Sequence, residues 1–581
     1  MGTITDFVTL GGIMSRFITL LTRQTAALLL AWLLSGLLYA QNDLPALSLS
    51  QLNRPAGWQL AGSVSPSADG SSIQAKPGDK VLIGADQPLT LLTPTADFRV
   101  RFDVLMTTSA DVVLTLPSGL AIGLAHSQEI NRLLKAPGLW QTVELWYKIG
   151  SGKSPALLEK LTINGVTVRE SRTLASTTSG PMTIMTKTGN VAVRNIGYRV
   201  MTPRTVAQWS GPVSYTIVEG GYILDPKEAA RRKVLKQDTT NQLNYEVAYG
   251  QPRQYSLFFS GKLNALQTGD YRFDLNQGGA AALWIDGKEI MPVNHLELGQ
   301  PNPGNVTLTM GLHDVKVYFS RSWFRPGLGL YVSQAGTRPQ ALHAPGSLPE
   351  PDPVAVVSVN PDYSDAKNQI QRIRSFVQIP GEKTKRTHSL SVGSPAGLHY
   401  TIDLNQMALL QAWKGDFANV TEMWYERGEP QLLTPLGASV QLPTQTALTM
   451  LTNDMAAWPD SLGENILQYK GFVIDKQGAP TINYVIAGAT VTDAIRAEGN
   501  ELVRTLTLTG SPTGTLYCRV AAGTAVEEVS KGMYAINDRS YYVRIDPKAK
   551  VKLRQSNGKQ ELLLPVDVKN GAGSVQYSIR F

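Results

Sequence analysis

Apolar and polar residues alternate with a period of two through most of this chain. Phe98-Arg-Val-Arg-Phe-Asp-Val104 alternates without a break, as a strand with one buried face does. Val143-Glu-Leu-Trp-Tyr-Lys148, Val191-Ala-Val-Arg-Asn-Ile196, Tyr271-Arg-Phe-Asp-Leu275 and Val575-Gln-Tyr-Ser-Ile-Arg-Phe581 continue in the same style. Among these runs stand Asn164-Gly165, Asp286-Gly287 and Asn557-Gly558, dipeptides that readily take the positive φ values of a tight hairpin. Helical periodicity is almost absent. Asp225-Pro226-Lys-Glu-Ala-Ala predicts one short helix, with Asp as cap and Pro in the first turn. The expected fold is mainly β: three consecutive β-sandwich or jelly-roll domains after a signal peptide.

The N-terminus reads as an address. Arg16 and Arg23 precede the apolar run 26–38, which ends at Tyr39-Ala40 before polar Gln41-Asn42-Asp43. Basic flank, short apolar core and small exit residue predict a signal peptide over 1–40, with Met14 as an alternative start. No cysteine follows to carry a lipid anchor, so the mature chain is expected in the periplasm or outside the cell, without a membrane span. The predicted domains are 44–200, 212–345 and 362–581. Pro349, Pro351, Pro353 and Pro361 mark a stiff linker over 346–361.

Composition narrows the chemistry. The 581 residues are 43% hydrophobic and 17% charged, with 52 Gly and 34 Pro, which suits many short strands joined by turns. The net charge of +8 is spread thinly, and the densest run, Arg231-Arg232-Lys233, is too small for a nucleic-acid surface. Cys518 is the sole cysteine, which excludes an intrachain disulfide, a cysteine-rich zinc site and haem attachment through C-x-x-C-H. It lies in an alternating run and is expected to be a packed, inert thiol. No P-loop, dinucleotide fingerprint or metalloprotease helix is present.

In the first domain, Ala96-Asp-Phe-Arg-Val100, Gly138-Leu-Trp-Gln141, Ile163-Asn-Gly165 and Val193-Arg-Asn-Ile196 occur in an order that resembles the 3-keto-disaccharide hydrolase family. The resemblance implies a secreted jelly roll related in shape to laminin-G and legume-lectin sandwiches. The chain departs from that family at its polar positions. Thr108-Ser-Ala-Asp111 stands where the family has Asn-Ser-Gly, Thr188-Gly-Asn190 stands where it has His-Gly, and the Glu-x-Gln-x-x-Asp segment has no clear counterpart. The nearest catalytic candidate is Glu144, which shares a strand face with Trp146. Together they can hold and polarise a sugar, or be a surface Glu beside a half-exposed Trp. His126 and Glu129 lie in a loop, where a histidine is ordinarily solvated.

In the second domain, Thr268-Gly-Asp-Tyr-Arg-Phe273, Leu283-Trp-Ile-Asp-Gly287, Gly311-Leu-His-Asp-Val-Lys-Val-Tyr-Phe319 and Leu328-Gly-Leu-Tyr331 resemble the protective-antigen-type (PA-14) β-sandwich. Sugar-binding members hold calcium through adjacent aspartates before the strand that ends in Asp-Gly. Here the residues are Gln277-Gly278-Gly279, so calcium lacks its acidic pair and no cofactor or metal is expected. Asp286 is expected to serve the turn.

The third domain carries Trp413-Lys-Gly-Asp-Phe417, Met423-Trp-Tyr-Glu-Arg-Gly428 and Lys470-Gly-Phe472, a series similar to a domain recurrent in secreted Bacteroidetes and Planctomycetes proteins. There it accompanies sugar-hydrolase-like sandwiches and c-type cytochromes. Trp413 and Trp424 can stack on sugar rings, with Arg427 beside them. Asp416, Glu422 and Glu426 can bind hydroxyls or move protons, and His399 can act as a general base. The alternative is that the tryptophans fill a core in which Asp416 and Arg427 pair. Three functions follow: an envelope protein binding oligo- or polysaccharide, a hydrolase or lyase of the 3-keto-disaccharide type, or a scaffold for a separate envelope cytochrome or dehydrogenase.

Overall fold

The computed structural model describes residues 44–581 except 68, 85, 153, 177–178, 301, 323–324, 350–354, 362–369, 425–430, 454 and 513. The proposed signal peptide and most of the proline-rich linker therefore lie outside the described residues. The protein is mainly β, built from antiparallel sheets, as the alternation predicts. The described helices are no longer than four residues. None is long and apolar enough to cross a membrane.

The chain forms two compact units. One comprises Arg199–Val354 with Ala96–Phe98. Its larger sheet runs Val234–Thr240, Val213–Glu219, Tyr255–Ala265, Gly311–Arg321, Gly279–Ile285, Lys288–Leu296, and Ala207–Trp209 also pairs with Tyr255–Ala265. A four-stranded sheet centred on Gly269–Gln277 and Leu328–Ser333 contributes Phe273 and Leu330 to the same core as Phe259, Leu283 and Val317. The expected helix spans Pro226–Ala229, and the Asp225 carboxylate accepts from the Lys227 N–H at 2.9 Å. Asp286 takes φ 51° in its turn and accepts from the Asp314 N–H at 2.8 Å, a turn role.

The other unit is discontinuous: Pro45–Thr95, Arg99–Tyr198 and Ala355–Phe581. Its jelly-roll part has a seven-stranded sheet in the order Gln59–Pro66, Ile73–Gly84, Val191–Val200, Phe98–Met106, Trp140–Lys148, Leu157–Ile163, Val166–Thr173. A four-stranded sheet accompanies it. On Phe98–Met106, Phe98, Val100, Phe102 and Val104 are fully buried, while Arg99, Arg101 and Asp103 form the half-buried opposite face. Asn164 at φ 51° and Gly165 at φ 82° make the predicted hairpin.

The C-terminal part has sheets of six, eight and four strands. They share one core, which includes Leu390, Tyr400, Tyr484, Leu506, Cys518 and Leu562. Burial pushes the Cys518 thiol up to about 12, which leaves it protonated and inert. The two parts of this unit meet through an apolar cluster in which Ala136 and Leu139 pack with Met533, Ala535 and Tyr542. Arg194 adds an ion pair to Asp538 at 2.6 Å.

Candidate functional site: a cationic cleft

Where the jelly-roll and C-terminal parts meet, a cleft of about 170 Å³ opens. One wall is the loop that follows the short helix Gln128–Asn131 and carries Lys135. This loop is held from below. The Gln141 side chain accepts from the Lys135 N–H at 2.9 Å and donates to its carbonyl at 3.2 Å. Asn164, in the hairpin, donates to the Leu133 carbonyl and to Gln141 Oε1, both at 2.8 Å. A turn residue chosen for positive φ thus also ties down the wall of the cleft.

The opposite wall comes from the C-terminal part: Leu398, Lys414, Asn500, Arg580 and Phe581. Lys414 sits on the strand Ala408–Asn419, which pairs with Thr434–Gln441. At Gly415, φ is 128°, and a Cβ there would meet Gly437 Cα at 3.1 Å and Leu133 Cδ2 at 3.2 Å. Only glycine lets the two strands and the jelly-roll loop approach this closely. Asn131, Gln141, Thr107 and Thr108 complete the polar lining. Among the described residues, no Asp or Glu side chain lines the cleft.

Burial pushes Lys135 and Lys414 below the usual lysine range, at Lys135 against a partial offset from Asp103. Lys414 Nζ reaches the Leu134 carbonyl at 3.4 Å. Arg580 Nε is buried without a hydrogen-bond partner.

Among the described residues singled out from sequence, none of Glu144, Trp146, His399, Trp413, Asp416 and Trp424 lines this cleft. His399 is fully buried, which corrects its expected role as general base. Its Nδ1 accepts from the Ser394 N–H at 3.1 Å, so Nε2 carries the proton and donates to the Gly415 carbonyl at 2.9 Å. Desolvation lowers its pKa to about 4. A neutral imidazole with both nitrogens engaged and no access to solvent positions the Lys414–Asp416 segment. Trp413 is also fully interior, stacked on Phe417 at 5.8 Å and donating to the Phe417 carbonyl at 2.7 Å. Its faces are spent on protein, which corrects its expected role in sugar stacking.

Asp416 is half-buried and pairs with Arg132 of the jelly-roll part at 3.0 Å, so it joins the two parts. Glu144 is buried and gripped by the Arg99 guanidinium, with Nε donating at 2.6 Å. That same guanidinium lies over the Trp146 ring at 4.7 Å, with Lys160 at 5.7 Å. The Glu144 carboxylate is thus occupied by protein, not presented to a ligand. Trp424 is 73% exposed, and Glu426 and Arg427 lie outside the described residues. His126 is bridged to Asp111 at 3.2 Å and Glu129 to Arg169 at 3.7 Å. Lys135, Lys414 and Arg580 carried no signal in sequence, because each is one basic residue in an alternating or loop segment.

No family model matches the chain, and no curated protein matches it. Among solved structures, it is similar to a β-glucosidase from Kluyveromyces marxianus at 15% identity, over 21% of this chain and 16% of that one, with TM-score 0.18. It is similar to the epithelial adhesin 9 A domain from Candida glabrata, solved with Galb1-3GlcNAc, at 9% identity over 24% and 88%, with TM-score 0.19. The PA14 domain of the antifreeze protein MpAFP aligns at 12% identity over 24% and 90%, with TM-score 0.20.

Proposed function

We propose that the protein is an exported carbohydrate-binding protein that holds its ligand in the cleft without hydrolysing it. One observation carries this reading: Asn131 and Asn500, which carry side-chain amides, line a cleft of about 170 Å³ beside Phe581, and among the described residues no Asp or Glu side chain joins them. Polyhydroxylated ligands are oriented by such groups. Glycoside hydrolysis calls for two carboxylates facing the scissile bond. The protective-antigen-type module over 212–345 and the hydrolase-like jelly roll over 44–200 fit the same reading as exported sugar-associated modules.

A glycan array followed by calorimetry on the full chain tests it. Binding of a saccharide, weakened about tenfold or more by Asn131→Ala and Asn500→Ala and accompanied by no released product, is the expected result. Silence across the array overturns the proposal.

Hydrolysis is the second reading, favoured by Glu422. It is half-buried, its Oε2 is without a hydrogen-bond partner, and burial raises its pKa as a general acid requires. It is adjacent in sequence to the segment holding Glu426. Turnover of a 3-keto disaccharide that Glu422→Gln abolishes would establish this reading over the first.

A further inference from the structure

We infer that the cleft selects an acidic saccharide, a sugar bearing carboxylate or sulfate, through Lys135, Lys414 and Arg580. This rests on the carbohydrate reading above and adds to it the ligand's charge. Three cations share the lining, and among the described residues no Asp or Glu lines it with them. Carboxylates in neighbouring segments are engaged with other groups: Asp69, which lines an adjoining small pocket with Arg580, accepts from Ser67 at 2.5 Å and from the Ser71 hydroxyl at 2.8 Å. Asp416 pairs with Arg132 at 3.0 Å. Glu501, next to the lining residue Asn500, binds Arg544 at 2.7 Å and accepts from Ser578 at 2.5 Å. Asp103 accepts from Thr142 at 2.9 Å and Asn195 at 2.8 Å, with Arg194 at 3.6 Å.

A partly buried cation with no Asp or Glu side chain beside it in the lining is costly, and three in one cleft repel one another. An anion entering the cleft relieves both terms. Arg580 offers the fork that matches a carboxylate or sulfate, and the lysines add point charges around it. Asn131 and Asn500 stand beside the cations to take ring hydroxyls, so the lining suits a charged sugar better than a bare ion.

The test is calorimetric titration of the full chain with trigalacturonate, a sulfated dextran fragment, galactotriose and sodium sulfate at fixed ionic strength. At least one acidic saccharide is expected to bind at least tenfold tighter than galactotriose. Lys414→Gln and Arg580→Gln should each weaken it about tenfold, and Lys414→Arg should retain it. Unchanged circular dichroism and melting midpoint in these variants separate lost binding from lost fold. Equal binding of galactotriose overturns the charge inference and leaves the carbohydrate reading standing. Binding of sodium sulfate with neither class of saccharide overturns both, as does silence from every probe. Tight acidic-saccharide binding that ignores both glutamine substitutions places the site elsewhere and overturns the inference.

Discussion

The core of the C-terminal part and the cleft beside it treat buried positive charge in opposite ways. In the core, Arg504 is fully buried and completely answered: Asp493 takes its Nε at 3.0 Å and its Nη2 at 2.6 Å, Tyr577 OH lies at 3.2 Å and the Met407 carbonyl at 3.1 Å. Arg519 and Arg554 share Glu561, each at 2.8 Å. In the cleft, Lys135, Lys414 and Arg580 have no such partner among the lining side chains. Carboxylates face these core arginines, two of which share one, whereas no Asp or Glu is among the described residues that line the cleft. The contrast teaches that burial alone does not dictate pairing: the lining of the cleft carries charge that the core would have matched with a carboxylate.

The comparison can be broken at its paired end first. Asp493→Ala leaves Arg504 buried and alone, and should cost about 3–5 kcal/mol in urea unfolding. A loss below about 1 kcal/mol would mean that pairing in the core matters no more than in the cleft. Next comes His399, whose folded pKa of about 4 lies below the ordinary 6.5. The unfolded chain binds the extra proton between these values, so stability is complete above pH 6.5 and falls as pH drops towards 4. The loss approaches about 3 kcal/mol. In His399→Phe that segment of the pH profile should flatten relative to wild type.

At the unpaired end the sign reverses. Lys414→Met should raise stability by about 1 kcal/mol in the absence of ligand, because it removes a poorly partnered, partly buried charge. A fall instead would mean that the ammonium is satisfied in the free protein. The smallest effect belongs to the half-exposed Arg132–Asp416 pair. Asp416→Asn should shift unfolding by less than about 1 kcal/mol and leave any catalysis untouched.

The strands were legible because their signals are local. Phe98–Val104 shows its two faces in seven consecutive residues, and Asn164-Gly165 and Asp286-Gly287 announce their turns by the positive φ they adopt. The site was not legible in the same way. Alternation says that His399 and Leu398 point to opposite faces, but all six residues of Leu398–Asp403 are buried, since both faces are covered. A histidine and a tryptophan that looked chemical in sequence therefore became core. Lys135, Lys414 and Arg580 converge only through packing between strands and loops far apart in the chain, which no local window contains. Asn164 and Gln141 were visible as motif residues, but their shared task of bracing the Lys135 loop depends on tertiary hydrogen bonds.

The unit that holds the cleft is interrupted in sequence by the long segment Arg199–Val354 of the other unit. Its jelly-roll strands emerge from the ribosome first, yet Arg580 and the strand Ala572–Arg580 follow hundreds of residues later. At about 5–20 residues per second, the early half waits on the order of tens of seconds for its other wall. Throughout that interval Leu139 and Ala136 lack the apolar surface that later covers them. A cleft with both walls can therefore form only once Ala572–Arg580 has been made, hundreds of residues after the jelly-roll strands.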